Sequence, residues 1–333
     1  MQSLKNTKRK NNNFFILNTC VSRFQIEQAH QLIASYIHYT PVFSSESLNN
    51  MIGCKVFFKC ENFQKAGAFK SRGASNALFY NLELAHKNGV ATHSSGNHAQ
   101  ALARVAKFAG VKAHIVMPEN SNPLKIAAVK EYGGIITFCK PTLQAREDTL
   151  RDVMKETNAI EIHPYDDPLI IAGQGTATKE LLEQMPAPDI VIAPVGGGGL
   201  LSGTALACHY FATGVHVIGA EPVQANDAWQ SFCSGKFVPS VQPDTIADGL
   251  RTSLGKFTFP IILSHVNDIL TVSEKSIIEA MRHIWLRLKI IAEPSSAVVL
   301  AAIMEHPDVF KNKTIGAIIS GGNADIHQLP WHE

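Results

Sequence analysis

The 333-residue sequence is poor in charge and has no excess of either sign. Charged residues make up 17%, and 30 lysines and arginines stand against 28 aspartates and glutamates, a formal net of +2. It has no long basic face interleaved with aromatics, so nucleic acid is not an expected partner. The six cysteines, Cys20, Cys54, Cys60, Cys139, Cys208 and Cys233, form no CxxC pair. Neither a zinc site nor a disulfide frame is expected, and settings such as GCKVFFKC and ITFCK predict reduced core residues. No Gly-Lys-Ser/Thr triplet occurs, which excludes a Walker A loop. After the basic, polar MQSLKNTKRKNNN, the apolar FFIL is too short for a signal-peptide core or a membrane span. Residues 1–14 therefore read as a disordered polar tail on a cytoplasmic protein with no membrane partner.

What the sequence does contain is alternation. Short apolar or β-branched runs (VFFKC, GVATHSS, AHIVMP, GIITF, AIEIH, DIVIAPV, HVIGAE, DILTVS, TIGAIIS) are separated by stretches with helical periodicity. Amphipathic examples are SRFQIEQAHQLIASYI, NHAQALARVAKFAG, PLKIAAVKEYG and SEKSIIEAMRHIWLRLK. The pattern predicts an α/β protein with open, twisted, largely parallel sheets, and the length suits two domains. Ligands in such folds collect where strands end and helices begin, so those junctions carry the functional reading.

Gly196, Gly197, Gly198 and Gly199 follow the apolar run DIVIAPV and open the helix LLSGTALAC. Crowded backbone N–H groups at a helix N-terminus suit a phosphate; a flexible turn is the plainer reading. A dinucleotide fingerprint lacks its third glycine, although Glu221 at the next strand end keeps that reading open. In SSGNH, Ser94 to His98, a hydroxyl and free N–H groups suit a substrate carboxylate, whereas a helix cap would use the same side chains. GAEPVQAND sets Glu221 and Asp227 six apart, hard oxygen donors for magnesium, manganese or calcium unless they are simply solvated. ISGGNAD, with Ser320, reads as a tight turn. Lys70, in QKAGAFKSRG, is by itself only a charge at a helix start.

Taken in order, FFKCENFQKAGAFKSRGA, THSSGNHAQALA, HPYDDPLIIAGQGT, VGGGGLLSG, AEPVQAND, TIADGL, EPSSAV and ISGGN resemble the pyridoxal-phosphate enzymes of the tryptophan-synthase β fold (fold type II). The similarity lies within the serine racemase and serine/threonine dehydratase family and covers nearly the whole chain. It implies pyridoxal 5'-phosphate as cofactor, joined to Lys70, with Phe69 against its ring and Asn97 on its phenolic oxygen. Gly196 to Gly199 would hold the phosphate, and Ser320 would face the pyridine nitrogen. A neutral serine there makes the ring a weaker electron sink, which suits β-elimination. Lys70 would work on one face of the substrate and Ser95 on the other, giving racemisation, with loss of the β-hydroxyl as the competing branch. Ser94, Ser95, Asn97, His98 and Arg146 would bind the substrate. Glu221, Ala225 and Asp227 would hold a divalent cation.

The resemblance implies a serine racemase activity with dehydration of serine to pyruvate and ammonia. Threonine dehydratase and threo-3-hydroxyaspartate dehydratase are the alternatives, and an inactive nucleotide-binding protein is the reading from another class. SSGNH matches racemases and 3-hydroxyaspartate dehydratases, whereas threonine dehydratases read SAGNH. Tyr165 in HPYDDP departs from the asparagine that animal racemases carry beside their ATP site, so a nucleotide effector is left open. The expected organisation is a large cofactor domain from residues 15–84 and 166–333, a small mobile substrate domain from 85–165, and a homodimer.

Overall fold

The structure is a computed structural model that describes residues 20–325 and 329–331; the tail expected over residues 1–14 lies outside the described residues. Each of the apolar runs singled out above forms a strand, and one further short strand precedes them. The strands are β1 (Val42–Phe43), β2 (Lys55–Cys60), β3 (Val90–His93), β4 (Ala113–Pro118), β5 (Ile135–Cys139), β6 (Ile160–Glu161), β7 (Ile190–Pro194), β8 (His216–Pro222), β9 (Asp268–Val272) and β10 (Thr314–Ile319). They make a six-stranded sheet ordered β1-β2-β10-β7-β8-β9 and a four-stranded sheet ordered β5-β4-β3-β6. All pairings are parallel except β1 with β2. Strands covered on both faces lose the apolar–polar alternation, as in β7, where every residue is buried.

The helix Lys70–Tyr80 lies between the two sheets, against the helices Pro168–Gln184 and Asn97–Ala109. Glycine meets glycine where it packs on Pro168–Gln184: a Cβ added at Gly173 would come within 2.6 Å of the Gly73 Cα. Arg72, fully buried on the same helix, donates to both oxygens of Glu61 (2.7 and 2.8 Å) and both of Glu180 (2.7 Å each). Lys59, also fully buried, completes the cluster through Glu180 at 2.7 Å. Two cations and two carboxylates thus balance in the interior, which is the condition for burying any of them. Through this cluster, β2 and the helix Pro168–Gln184 fix the start of the helix that carries Lys70.

The cysteines depart from expectation at one place. Cys54, Cys60, Cys139 and Cys208 are buried and Cys20 is partly so, but Cys233 is exposed. The short helix Asp227–Ser234 turns Asp227, Ala228, Ser231 and Phe232 inward, which leaves Cys233 on its outer side. All six thiols are free.

Candidate active site

The carboxyl ends of β3, β7 and β10 open on one cavity between the two sheets, lined by Phe69, Lys70, Ser94 to His98, Gly197 to Gly199 and Ser320. Residues read from separate stretches of sequence therefore meet. Phe69 is tied to the end of β10 by its N–H, which donates to the Ser320 carbonyl at 2.9 Å. Lys70 follows at the first position of its helix, and its Nζ donates to the Pro164 carbonyl at 2.6 Å. Burial lowers its pKa to about 8, against a smaller upward pull from Glu293. The neutral amine that a nucleophile or base requires is thereby accessible near neutral pH.

The glycine loop and the SSGNH loop both lead into helix N-termini without side-chain caps. Gly198, at φ +85°, precedes the helix Gly199–Phe211, and no side chain bonds its first N–H groups. A Cβ at Gly197 would come within 2.5 Å of the Tyr165 ring, so only glycine leaves the loop in place. Likewise the helix Asn97–Ala109 has no side-chain cap; the Ser94 hydroxyl accepts instead from Gly96 N–H at 3.3 Å. The helix-cap reading of SSGNH does not describe this junction, and its N–H groups remain available to an anion.

Asn97 is held on both sides. Its Nδ2 donates to the Glu293 carboxylate (2.8 and 3.1 Å), and its Oδ1 accepts from Asn323 Nδ2 at 2.9 Å. Glu293 is 4% exposed; burial, together with the charge of Asp248, raises its pKa to about 7. His98 uses Nε2 on the Ile162 carbonyl at 2.9 Å and keeps Nδ1 buried without a partner. Burial, then the charge of Lys70, pushes its pKa down to about 3, so the ring is neutral. Ser320 is buried, with its hydroxyl 2.9 Å from that of Ser296. Arg146 reaches the same cavity with Nε buried and unpartnered. Across the cavity mouth Lys125, from the four-stranded side, pairs with Asp248 from the other.

The residues fit pyridoxal phosphate: an amine of lowered pKa, an uncapped glycine N-terminus for a phosphate, an aromatic beside the amine and a buried hydroxyl at the end of β10 share one cavity. The metal residues lie elsewhere, after β8. Glu221 is 2% exposed and Asp227 6% exposed. Burial, and then the nearby Asp227 charge, raises the Glu221 pKa well above the usual range, while burial takes Asp227 to about 6. Glu221 Oε1 accepts from Trp229 N–H at 2.6 Å, but Asp227 Oδ2 is buried with no partner. Among the described residues no three His, Cys, Asp or Glu side chains form a metal cluster. The orphaned carboxylate oxygen nevertheless suits a hard divalent cation.

Sequence reasoning missed Glu293, Asn323 and Lys125, and also His93, which lines the same cavity with its pKa pushed down to about 4 by burial. EPSSAV and ISGGN contain the first two, but their use depends on contacts more than 190 residues apart with Asn97.

Comparison with known proteins agrees with this geometry. The family model described as pyridoxal-phosphate dependent enzyme matches residues 33–321. The chain is 47% identical over 304 residues to a β-hydroxyaspartate dehydratase of Paracoccus denitrificans, covering 91% of this chain and 96% of that one. It is 46% identical to a serine racemase of Dictyostelium discoideum, with 91% and 95% covered. The crystal structure of the latter superposes with a TM-score of 0.88 at 45% identity, over 92% of this chain and all of that one. The structure of maize serine racemase gives 0.91 at 44% identity, with 93% and 96% covered. With the lysine, the glycine loop and the uncapped helix of SSGNH at one cavity, the chain belongs to the pyridoxal-phosphate dependent enzyme family.

Proposed function

We propose that the protein racemises serine and, from the same site, dehydrates it to pyruvate and ammonia. The observation that carries the reading is that Lys70, at the start of its helix, and Ser95, after β3 of the four-stranded sheet, line one cavity. Bound pyridoxal phosphate would supply the electron sink that acidifies the substrate Cα–H. Lys70, with its amine desolvated and its pKa lowered to about 8, takes that proton on one face. Ser95 returns a proton on the other, and elimination competes when the β-oxygen leaves first. The uncapped helix Asn97–Ala109 holds the substrate carboxylate, Gly196 to Gly199 hold the cofactor phosphate, and Phe69 flanks the ring. Asn97 serves the phenolic oxygen with its side-chain amide, which Glu293 and Asn323 hold in place, while Ser320 serves the ring nitrogen.

The segment 85–165 acts as the small domain and closes over the substrate, joined across the cleft by Lys125 and Asp248. Glu221, Ala225 and Asp227 take a divalent cation, magnesium first, in a structural role. Relatives named serine racemase support the substrate choice. Six free thiols suit a reducing cytoplasm, and we read the working form as a homodimer.

A second reading, dehydration of threo-3-hydroxyaspartate, is favoured by Arg146. Its buried, unpartnered Nε faces a cavity where a second carboxylate would pair with it. The test gives L-serine, L-threonine and 3-hydroxyaspartate to the wild type and to Ser95→Ala. Ser95→Ala should lose D-serine formation and keep pyruvate formation. Equal loss of both would remove Ser95 from the role of second-face acid.

A further inference from the structure

The loop over residues 163–167 holds Tyr165 in place from several directions. His163 Nδ1 accepts from Tyr165 N–H (3.2 Å) and Asp166 N–H (2.8 Å). The Asp166 carboxylate accepts from the N–H groups of Lys256, Phe257 and Thr258, and Asp167 caps the helix Pro168–Gln184. The ring lies on Gly197 and meets His163 edge-on, with centroids 4.7 Å apart. A side chain confined in this way holds its hydroxyl in position before any ligand arrives.

That hydroxyl is 3.1 Å from Thr252 Oγ1, and both residues line the cavity with Lys70 and Ser95. The backbone neighbour Pro164 is the acceptor for Lys70 Nζ, which places the phenol's loop directly at the reacting amine. Burial holds the phenol's pKa above 10.0, so it keeps its proton and can donate.

We infer that the Tyr165–Thr252 hydroxyl pair reads the β-substituent of the substrate, the phenol donating a hydrogen bond to a β-oxygen. The inference deepens the racemase and dehydratase reading and rests on it. A site that hydrogen-bonds a substrate hydroxyl rejects the analogue lacking it, because its own polar groups are then left facing carbon. A hydrogen bond to the departing oxygen also strengthens as charge gathers there, so elimination gains more from Tyr165 than proton return does.

The test uses the holoenzyme of Tyr165→Phe, which keeps the ring, and of Thr252→Val. Binding of L-serine and L-alanine is followed by the visible band of the bound cofactor, and pyruvate and D-serine are measured together. The wild type should prefer serine. Tyr165→Phe should shrink that preference by about tenfold, the worth of one hydrogen bond, with alanine binding unchanged. The pyruvate to D-serine ratio should fall by a similar factor, and Thr252→Val should move both readouts in the same direction. Unchanged ratios in both variants, or equal weakening of serine and alanine, would overturn the inference. Loss of cofactor from Tyr165→Phe would overturn it as well, since the hydroxyl would then belong to the phosphate site. A wild type that turns over no β-hydroxy amino acid would instead sink the racemase and dehydratase reading, leaving the binding comparison to judge Tyr165.

Discussion

Replacing Arg72 with leucine removes the charge that two buried carboxylates share. Glu61 would keep only the Thr40 hydroxyl at 2.5 Å, whereas Glu180 would keep Lys59 at 2.7 Å. The four-charge cluster goes from balanced to one negative charge in excess, with Glu61 the residue left exposed to the full cost of burial. Breaking a buried pair by removing one partner costs about 3–5 kcal/mol. For a chain of this size that is a fall in thermal midpoint on the order of 10 °C. In the wild type, burial alone would raise the Glu61 pKa, but the charge and hydrogen bonds of Arg72 outweigh it and hold it below 4.5. Its contribution is therefore present above the unfolded value and lost only as pH falls through the lower folded one. In Arg72→Leu only the Lys59 charge and the Thr40 hydroxyl oppose burial, and the folded pKa should rise above the unfolded value. The deficit is then full at pH 8 and shrinks as acidification protonates Glu61. Thermal unfolding of both proteins at pH 8 and pH 5.5, followed by circular dichroism, checks this. A deficit below about 1 kcal/mol, or one that does not narrow in acid, would refute the reasoning. Arg72→Lys should recover part of the loss, since it restores the charge without the bidentate fork.

Lys70→Met should give a protein that is colourless after incubation with pyridoxal phosphate, unlabelled by borohydride and inactive. Its apoprotein should melt higher than the wild-type apoprotein at pH 6, because a buried ammonium with pKa about 8 against 10.5 costs stability below pH 8. That advantage should fade toward pH 10; identical melting across the range would remove the argument from desolvation. Gly197→Ala drives a methyl into the Tyr165 ring and should destabilise the protein by about 1–3 kcal/mol, with loss of cofactor measured spectroscopically. Tyr165→Ala in the same chain should restore stability but not serine preference. Chelation by EDTA should lower the thermal midpoint of the wild type, and magnesium should restore it. Glu221→Gln with Asp227→Asn should abolish that response, and a wild type indifferent to chelator would rule out the cation.

The sequence shows the strands wherever an apolar run stands out; the equally short β6 is marked by the alternation AIEIH, whereas β1, Val42–Phe43, lies between proline and serines with no periodicity to read. The helices Pro168–Gln184 and Pro294–Glu305 also escape the amphipathic pattern. Each is buried on nearly all sides, so no polar face alternates with an apolar one. At the site, the glycine loop and SSGNH are legible because each sits at a strand-to-helix junction, whereas Lys70, separated from β2 by two short turns, is legible only through the family resemblance. The Glu293–Asn97–Asn323 chain is not, since it is made of three distant segments whose meeting only the two sheets determine. Tyr165 is visible as a letter, but its grip on Gly197 and Thr252 is not.

The helix Lys70–Tyr80 is riveted by Arg72 and by glycine contact to the six-stranded side, while Ser95 rides at the end of β3 in the other sheet. If residues 85–165 close over the substrate as proposed, one proton site stays with the chassis and the other travels. If the cleft opens and shuts faster than the β-oxygen departs, Ser95 is on station in time and the product is a mirror image. If it lags, the oxygen is already gone. The ratio of the two products would then work as a stopwatch on that closure, and changes at the Lys125–Asp248 contact across the cavity become a way of setting it.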